Sequence, residues 1–520
     1  MQFTPEALFE VEIYSHFFRV ITKHPRGRGV IYRFSAPYIQ MDWIKEPGVQ
    51  GKARYLPVKS FFSKTADEYE FRFLTGQYEP FLEFLSREGI SPSLYTVKKI
   101  DIEKQPAVNI KITDGWELRD LQKDVEKFIL EPDPSGSHSR LVAVCTGGGK
   151  TVSALISASK KKEKVVVFVL PKYVDKWCDD ISTITKTKKK EIMVIQGSGP
   201  LKGLIQMAKD SPDDLHDFTV ISLVTFRNFI QEYEEKRTYC ETDSYGIRPD
   251  EFLPLIQAGV AIVDEAHEHL HAIFKLMLYM RVNLFIALSG TFLNDDSFIT
   301  KMQHVMFPTF IRHDKIKMEK YVECYPVAYN IADPVRTKIR TTEFGSNSYS
   351  QTAFEKSIMK NPVLLKKYVQ IIDQVIEFGY IRNRTHGDRG ILFVGTVAMA
   401  TYMTAHLKEL YPTLDIRRYV AEDPYENVIV PDFRVTTVLS SGAAIDIANL
   451  IFNFMTTSMS STVSNYQTLG RCRKLKDKAT RFFYLYCSAI PKHVAYHFKK
   501  KEIFKDRVAF IRDITSSYSL

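Results

Sequence analysis

Residues 144–151 read Val144-Cys-Thr-Gly-Gly-Gly-Lys-Thr151, and the reading of this stretch decides the fold. An apolar run (141–145) leads into it, and a helix-like segment beginning Val152-Ser-Ala-Leu follows. Three successive glycines, Gly147, Gly148 and Gly149, let the backbone turn its N–H groups toward a phosphate without side-chain obstruction. The helix behind them adds the positive end of its dipole. In such a cradle, which Thr146 also lines, Lys150 bridges the β- and γ-phosphates and the Thr151 hydroxyl holds Mg²⁺. Val144 stands where Gly or Ala is usual, a minor departure because it belongs to the strand end. The alternative is a glycine-rich strand-to-helix turn carrying a chance lysine.

Further along, Val260-Ala-Ile-Val-Asp-Glu-Ala-His267 is an apolar strand that ends in adjacent carboxylates. Two acids at the mouth of a buried strand are costly unless they bind something. Beside a phosphate cradle, Asp264 would hold Mg²⁺ through its water shell and Glu265 would polarise the attacking water. His267, His269 and His271 alternate, which suggests a metal site, yet positions i, i+2 and i+4 of a helix do not share one face. His267 is therefore read as a coupling residue, and the other two as a solvated helix start.

Around these motifs, short apolar runs alternate with longer helical segments from about 110 to 310. The runs 141–145, 165–170, 192–195, 219–223, 260–263 and 284–288 suit strands buried on both faces of a parallel sheet. A second α/β region, 346–490, offers runs at 390–394, 416–420, 435–439, 450–454 and 481–486. Residues 1–105 differ: alternating segments at 9–20, 29–34 and 69–73, turns at Pro25, Gly27, Gly29, Pro47 and Gly48, and one helix (79–87) ending at Gly89. The expected fold class is α/β, with two parallel-sheet lobes, which the family resemblance described below implies to be RecA-like, and a small N-terminal α/β accessory domain. The expected boundaries are 1–105 for an accessory domain that binds DNA or a junction, 106–310 for lobe 1, 311–345 for a linker or the start of lobe 2, 346–495 for lobe 2 and 496–520 for a basic tail.

The chain has 520 residues, 45% hydrophobic and 25% charged, enough for about three domains with real cores. Disordered and fibrous classes are excluded. A net charge of +10 suits an anionic partner without identifying it. Cys145, Cys178, Cys240, Cys324, Cys472 and Cys487 show no paired spacing, which argues against a disulfide framework or a zinc ribbon and for a reducing compartment. The start, MQFTPEALFEVEIY, lacks the pattern of a signal peptide, and no apolar run approaches the ~20 residues of a membrane span. The expectation is a soluble cytoplasmic protein with no membrane partner.

With these motifs in register, the chain resembles the superfamily 2 helicases of the DEAH-box kind over about residues 110–490. Leu118-Arg-Asp-Leu-Gln122 resembles the Q-motif, which implies that Gln122, with Arg119, reads the adenine of ATP; Trp116 either stacks on the base or belongs to the core. Ser289-Gly-Thr291 resembles motif III. Leu170-Pro-Lys172 and Ser222-Leu-Val-Thr-Phe226 resemble motifs Ia and Ib, implying nucleic-acid contacts by Pro171, Lys172, Thr225 and the adjoining Arg227. Gly390-Ile-Leu-Phe-Val394 resembles motif IV. Ser440-Ser-Gly-Ala-Ala-Ile-Asp446 resembles motif V, with Ala444 in the place of glycine; it implies strand contacts by Ser440 and Ser441 and a nucleotide contact by Asp446. Gln467-Thr-Leu-Gly-Arg-Cys-Arg-Lys474 resembles motif VI, whose arginines reach the γ-phosphate. The family spacing places the second arginine at 474, which is Lys474, so Arg471 carries over directly and Arg473 sits one residue early.

The overall pattern is most similar to the phage branch-migration helicases. That resemblance implies ATP and Mg²⁺ as cofactors and unwinding or branch migration of forked or branched DNA in replication, recombination or repair. It further implies 3′→5′ polarity, a monomer on DNA and, for a phage-encoded protein, the host cytoplasm. Within residues 1–105, Arg26 and Arg28 of Lys23-His-Pro-Arg-Gly-Arg28 either meet duplex or junction phosphates or form an exposed hairpin tip. Trp43, Phe61 and Phe62 form either a stacking wedge or core. Further basic stretches are Arg382-Asn-Arg384 with Arg389, and Lys499-Lys-Lys501. Alternatives are an RNA helicase, a duplex translocase without strand separation, and a non-catalytic nucleotide-regulated DNA-binding protein. The intact Lys150, Asp264, Glu265 and Arg471 speak against the last.

Overall fold

The apolar runs around the glycine loop form one parallel sheet. Its strands lie in the order Ile192–Ile195, Phe218–Ser222, Lys164–Val169, Ala258–Val263, Leu284–Ser289, Ser139–Ala143 and Arg312–His313. All its pairings are parallel. Helices on the sheet faces explain why Lys164–Val169, Ala258–Val263 and Leu284–Ser289 are buried at every position. The structure is a computed structural model that describes residues 7–45, 53–134, 136–144, 148–236, 244–290, 296–314, 320–343, 348–420, 423–424, 426–438, 440 and 447–520. The chain divides into two compact units, the first holding Met1–Val144 and Gly148–Ile316, the second Lys317–Leu520.

The second unit repeats the RecA-like pattern in a sheet ordered Ile416–Tyr419, Phe433–Thr437, Arg389–Val394, Leu450–Met455, Thr480–Cys487, Val322–Tyr329 and Phe510–Ile511, with Ile514–Thr515 also on Val322–Tyr329. Within 311–345, expected to be a linker or the start of the second lobe, Val322–Tyr329 pairs with Thr480–Cys487 along all eight residues. One expectation is corrected here. The expected tail, 496–520, completes the helix Pro491–Phe504 and adds two short strands to the sheet. Among the described residues no helix is long and apolar enough to cross a membrane.

The N-terminal sheet is ordered Ser63–Lys64, Glu70–Leu74, Phe17–Ile21, Phe9–Ile13, Tyr95–Lys99. Residues 29–34, expected to be a strand, belong instead to the helix Pro25–Ser35. Pro25 opens that helix, His24 caps it by accepting the Arg26 N–H, and Val30, Ile31 and Phe34 pack inward. Gly27 is required there, because a Cβ would stand 2.5 Å from Thr22 Oγ1 and 2.6 Å from the Leu8 carbonyl. The HPRGRG stretch is therefore a helix start rather than a hairpin tip. Phe61 and Phe62 are core: Phe61 packs edge-on against Phe274, His271 and Phe298 of the neighbouring lobe, and Phe62 stacks on Phe73. The Trp43 side chain lies outside what is described.

This sheet shares one hydrophobic core with the first parallel sheet. Buried charges cross the junction. Arg72 pairs with Glu70 on its own strand and donates to Asp250 of the lobe at 2.9 Å, while Arg19 links Glu12 and Glu70. Lys275 of the lobe donates to the Phe62 carbonyl at 2.6 Å and pairs with Glu234.

Candidate nucleotide site

The parallel sheet brings three strand ends together. Ser139–Ala143, which leads into the glycine loop, and Ala258–Val263, which leads into Asp264, flank Leu284–Ser289, so the C-terminal ends of the three strands lie side by side. Backbone bonds fix the spacing. Val144 N–H donates to the Ser289 carbonyl at 3.1 Å, and Ala266 N–H to the Leu288 carbonyl at 2.8 Å.

Gly149 caps the helix Lys150–Lys161 in the left-handed conformation, φ 79°. A Cβ there would fall 1.8 Å from Gln122 Nε2, so glycine is needed both for the turn and for the close approach of Gln122. Gln122 is buried, and its Oε1 accepts the Arg119 N–H at 2.8 Å, which closes the first turn of the helix Asp120–Leu130. Arg119 itself is exposed. Lys150 and Thr151 occupy the first turn behind Gly149, each partly exposed. Thr146 and Gly147 lie outside the described residues, as do Thr291, Ser441 and Asp446.

Asp264 is held from both sides. Its Oδ1 accepts the Glu265 N–H and its Oδ2 the Trp177 indole N–H, both at 2.9 Å. Burial and the adjacent Glu265 carboxylate push the Asp264 carboxyl above its ordinary value, against the charges of Lys176 and Lys150. Burial also works against the charge on Lys176, but Asp264, Asp180 and Glu265 outweigh it and hold that amine above its ordinary value. Glu265 is buried and has a left-handed backbone, φ 48°, unusual for a residue with a side chain. Its Oε2 lies 3.4 Å from His267 Nδ1, yet among the described residues it accepts no hydrogen bond. Burial, then the charge of Lys150, lowers the His267 ring to about 4, so at neutral pH it is an uncharged imidazole beside Ser289 Oγ at 3.0 Å.

A buried carboxylate oxygen without a partner, next to a second carboxylate, fits a cation and an ordered water. Among the described residues no group of three or more His, Cys, Asp or Glu forms a metal cage. The Asp264 carboxylate and the Thr151 hydroxyl are ligand types that Mg²⁺ takes, the rest of its shell being water and substrate phosphate.

The other expected contacts are spread more widely. Pro171 and Lys172 are exposed on the turn after Lys164–Val169, with Lys172 Nζ 4.7 Å from the Tyr173 ring centroid. Arg227 is exposed nearby; burial, then the charges of Lys172 and Arg227, lower the His269 ring below its ordinary value. Thr225 is buried, and its hydroxyl accepts the Gly197 N–H at 2.8 Å, so it holds a loop from within. His271 departs from its expected solvated role: its Nε2 meets the Ser60 carbonyl at 2.9 Å. In the second unit Arg471 is buried just past the helix Thr462–Leu469, the Arg473 guanidinium folds back onto the Gly470 carbonyl, and Lys474 is exposed. Thr437 donates to Ser440 Oγ at 2.7 Å. Arg26 is exposed, whereas the Arg28 guanidinium lies over the Tyr69 ring at 5.6 Å. Trp116 is 39% exposed and donates to the Thr183 carbonyl.

Lys176, Trp177 and Asp180 escape the sequence reading because they lie in a helix, Val174–Ile184, far from Asp264 in the chain. Only the sheet order, which puts Lys164–Val169 beside Ala258–Val263, brings them together.

No family model matches the sequence. The chain is 25% identical over 223 residues to "Putative helicase 161L" of Invertebrate iridescent virus 6. The matched stretch spans 42% of this chain and 41% of that protein, less than half of the viral relative's length. Among solved structures it is similar to T4 UvsW, with a TM-score of 0.32 and 13% identity over 98% of this chain and 99% of that one. It is also similar to S. cerevisiae Dbp5 bound to RNA and ADP BeF3, with a TM-score of 0.49 and 10% identity over 76% and 90% of the two chains.

Proposed function

We propose that the protein is an ATP-dependent DNA helicase or translocase that acts on forked or branched DNA. The observation that carries the nucleotide half of this reading is the Gly149–Lys150 helix start together with Asp264 and a buried Glu265 oxygen that accepts no hydrogen bond among the described residues. In this reading Lys150 binds the terminal phosphates, Thr151 and Asp264 hold Mg²⁺, partly through water, and Glu265 orients the attacking water and accepts its proton. Bound Mg²⁺ neutralises phosphate charge. Gln122 and Arg119 serve the base, and Arg471, with Arg473, serves the γ-phosphate.

The DNA half rests on the sequence resemblance and the exposed cations Lys172, Arg227 and Arg26, while the viral relative's name supports a helicase without naming its substrate. A sequence-indifferent motor needs phosphate contacts, and its binding weakens steeply with salt. The test is ATP hydrolysis with and without DNA, followed by strand separation on a Holliday junction, a fork, a linear duplex and an RNA duplex of matched length. Stimulation by DNA and preference for the branched substrates are expected. Equal action on the linear duplex removes the branch-specific part, and preference for the RNA duplex replaces DNA by RNA.

A further inference from the structure

The helix Val174–Ile184 approaches the carboxylate pair for a reason built into the sheet. Its preceding strand, Lys164–Val169, runs parallel to Ala258–Val263 with Phe168 opposite Val263, and Asp264 N–H points to the Phe168 carbonyl at 3.4 Å. The first turn of the helix therefore sits over Asp264. Trp177 is fully buried there and spends its one polar atom on Asp264 Oδ2 at 2.9 Å, while Lys176 places its charge on the same pair and bonds Asp180 at 3.4 Å. A buried indole N–H needs some acceptor, and a backbone carbonyl would serve. Here the acceptor is the carboxylate read as the metal's protein anchor, and the Glu265 N–H takes its other oxygen. Between them the two donors leave the carboxylate one orientation.

We propose that Trp177 is a positioning residue for Mg²⁺: its hydrogen bond orients Asp264, and the strength of Mg²⁺ binding in the nucleotide complex depends on it. The inference rests on the nucleotide-site reading above. Outer partners of a metal ligand typically carry 10–100-fold of metal affinity.

The test is ADP binding by the full chain, followed calorimetrically over a series of Mg²⁺ concentrations, for the wild type and Trp177→Phe. Phenylalanine keeps an aromatic ring and removes only the donor. The Mg²⁺ concentration giving half of the metal-dependent gain in ADP affinity should rise about 10-fold, while ADP affinity in EDTA stays the same. An unchanged Mg²⁺ dependence overturns the inference. So does an equal loss with and without Mg²⁺, which marks a packing residue. Should Trp177→Phe fail to fold, the double variant Trp43→Phe/Trp116→Phe leaves Trp177 as the sole indole. Its emission should change when Mg²⁺ joins the ADP complex, and no Mg²⁺-specific change overturns the inference. Absence of ADP binding by the wild type is a separate outcome: it removes the site reading and this inference with it.

Discussion

Asp250 and Asp264 lie in the same compact unit and meet opposite electrostatics. Asp250 joins the N-terminal sheet to the lobe. Burial alone would raise its carboxyl, but Arg72, Arg248 and Arg19 outweigh burial and hold it below the ordinary value. Asp264 meets burial and a second carboxylate, and its carboxyl rises although Lys176 and Lys150 oppose the shift. The first arrangement already holds its counter-charges, although Asp250 Oδ2, 3.6 Å from Arg248, accepts no hydrogen bond among the described residues. The second improves when a cation arrives, which is how a binding site differs from a structural ion pair.

The sharpest way to break this comparison is to remove one partner from each pair. Asp250→Ala leaves Arg72, 1% exposed at its side chain, without its lobe carboxylate, and should destabilise the first unit by about 3 kcal/mol, the low end for a broken buried pair because Glu70 remains. Thermal unfolding would show it as a large drop in the first transition. Asp264→Asn should do the reverse to stability, raising that transition by relieving the repulsion from Glu265, while DNA-stimulated hydrolysis falls about 10²–10³-fold. Lys150→Ala should lose hydrolysis on a similar scale with little change in melting. A lower melting temperature for Asp264→Asn would mean that its bonds to Trp177 and Glu265 outweigh the repulsion, and the contrast with Asp250 would fail.

Acid sharpens the same contrast. The folded-state pKa of Asp250 lies below that of the unfolded chain, so the unfolded chain takes the proton first. Its contribution is full above the ordinary aspartate value of 3.8 and is lost as pH falls through the folded value. Asp264 has the opposite sign. The folded chain takes the proton first, so stability rises as pH falls from neutral toward 3.8. Melting curves from pH 7 to 3 should show the difference between wild type and Asp250→Asn closing only at the acid end. The difference between wild type and Asp264→Asn should close earlier, on the way down from neutral.

The same physics shows what the sequence could reveal. Strands buried on both faces are continuous apolar runs, so both parallel sheets and the two motif loops are legible. Val322–Tyr329 is hidden by Pro326, because proline lacks the N–H a central strand needs. The structure accommodates it by interrupting the neighbour: Phe510–Ile511 pairs with Glu323 and Cys324, Ile514–Thr515 pairs with Val327 and Ala328, and Pro326 faces the break. The helix Pro25–Ser35 is masked by glycines that read as a turn, one of which, Gly27, is there for close packing. Trp177 and Asp250 are invisible for another reason. Their partners are set by sheet order and docking, which no local pattern encodes.

The smallest expected effect tests whether burial, rather than pairing itself, separates these ion pairs. Arg33 and Glu88 form a pair within the N-terminal domain, with Nη2 to Oε2 at 2.6 Å and Nε to the same oxygen at 3.1 Å. Its distances match those of Arg72 and Asp250, but the side chains are 57% and 32% exposed. Water solvates both charges before and after the pair forms, and both donors share one oxygen, so the two-pronged geometry that strengthens arginine–carboxylate pairs is missing. Arg33→Ala should therefore lower stability by no more than about 1 kcal/mol, and less in high salt. Melting at low and high ionic strength checks this. A loss as large as that of Asp250→Ala would show that the pair pins the helix Pro25–Ser35 to the domain, and that desolvation is not what distinguishes the Arg72–Asp250 junction.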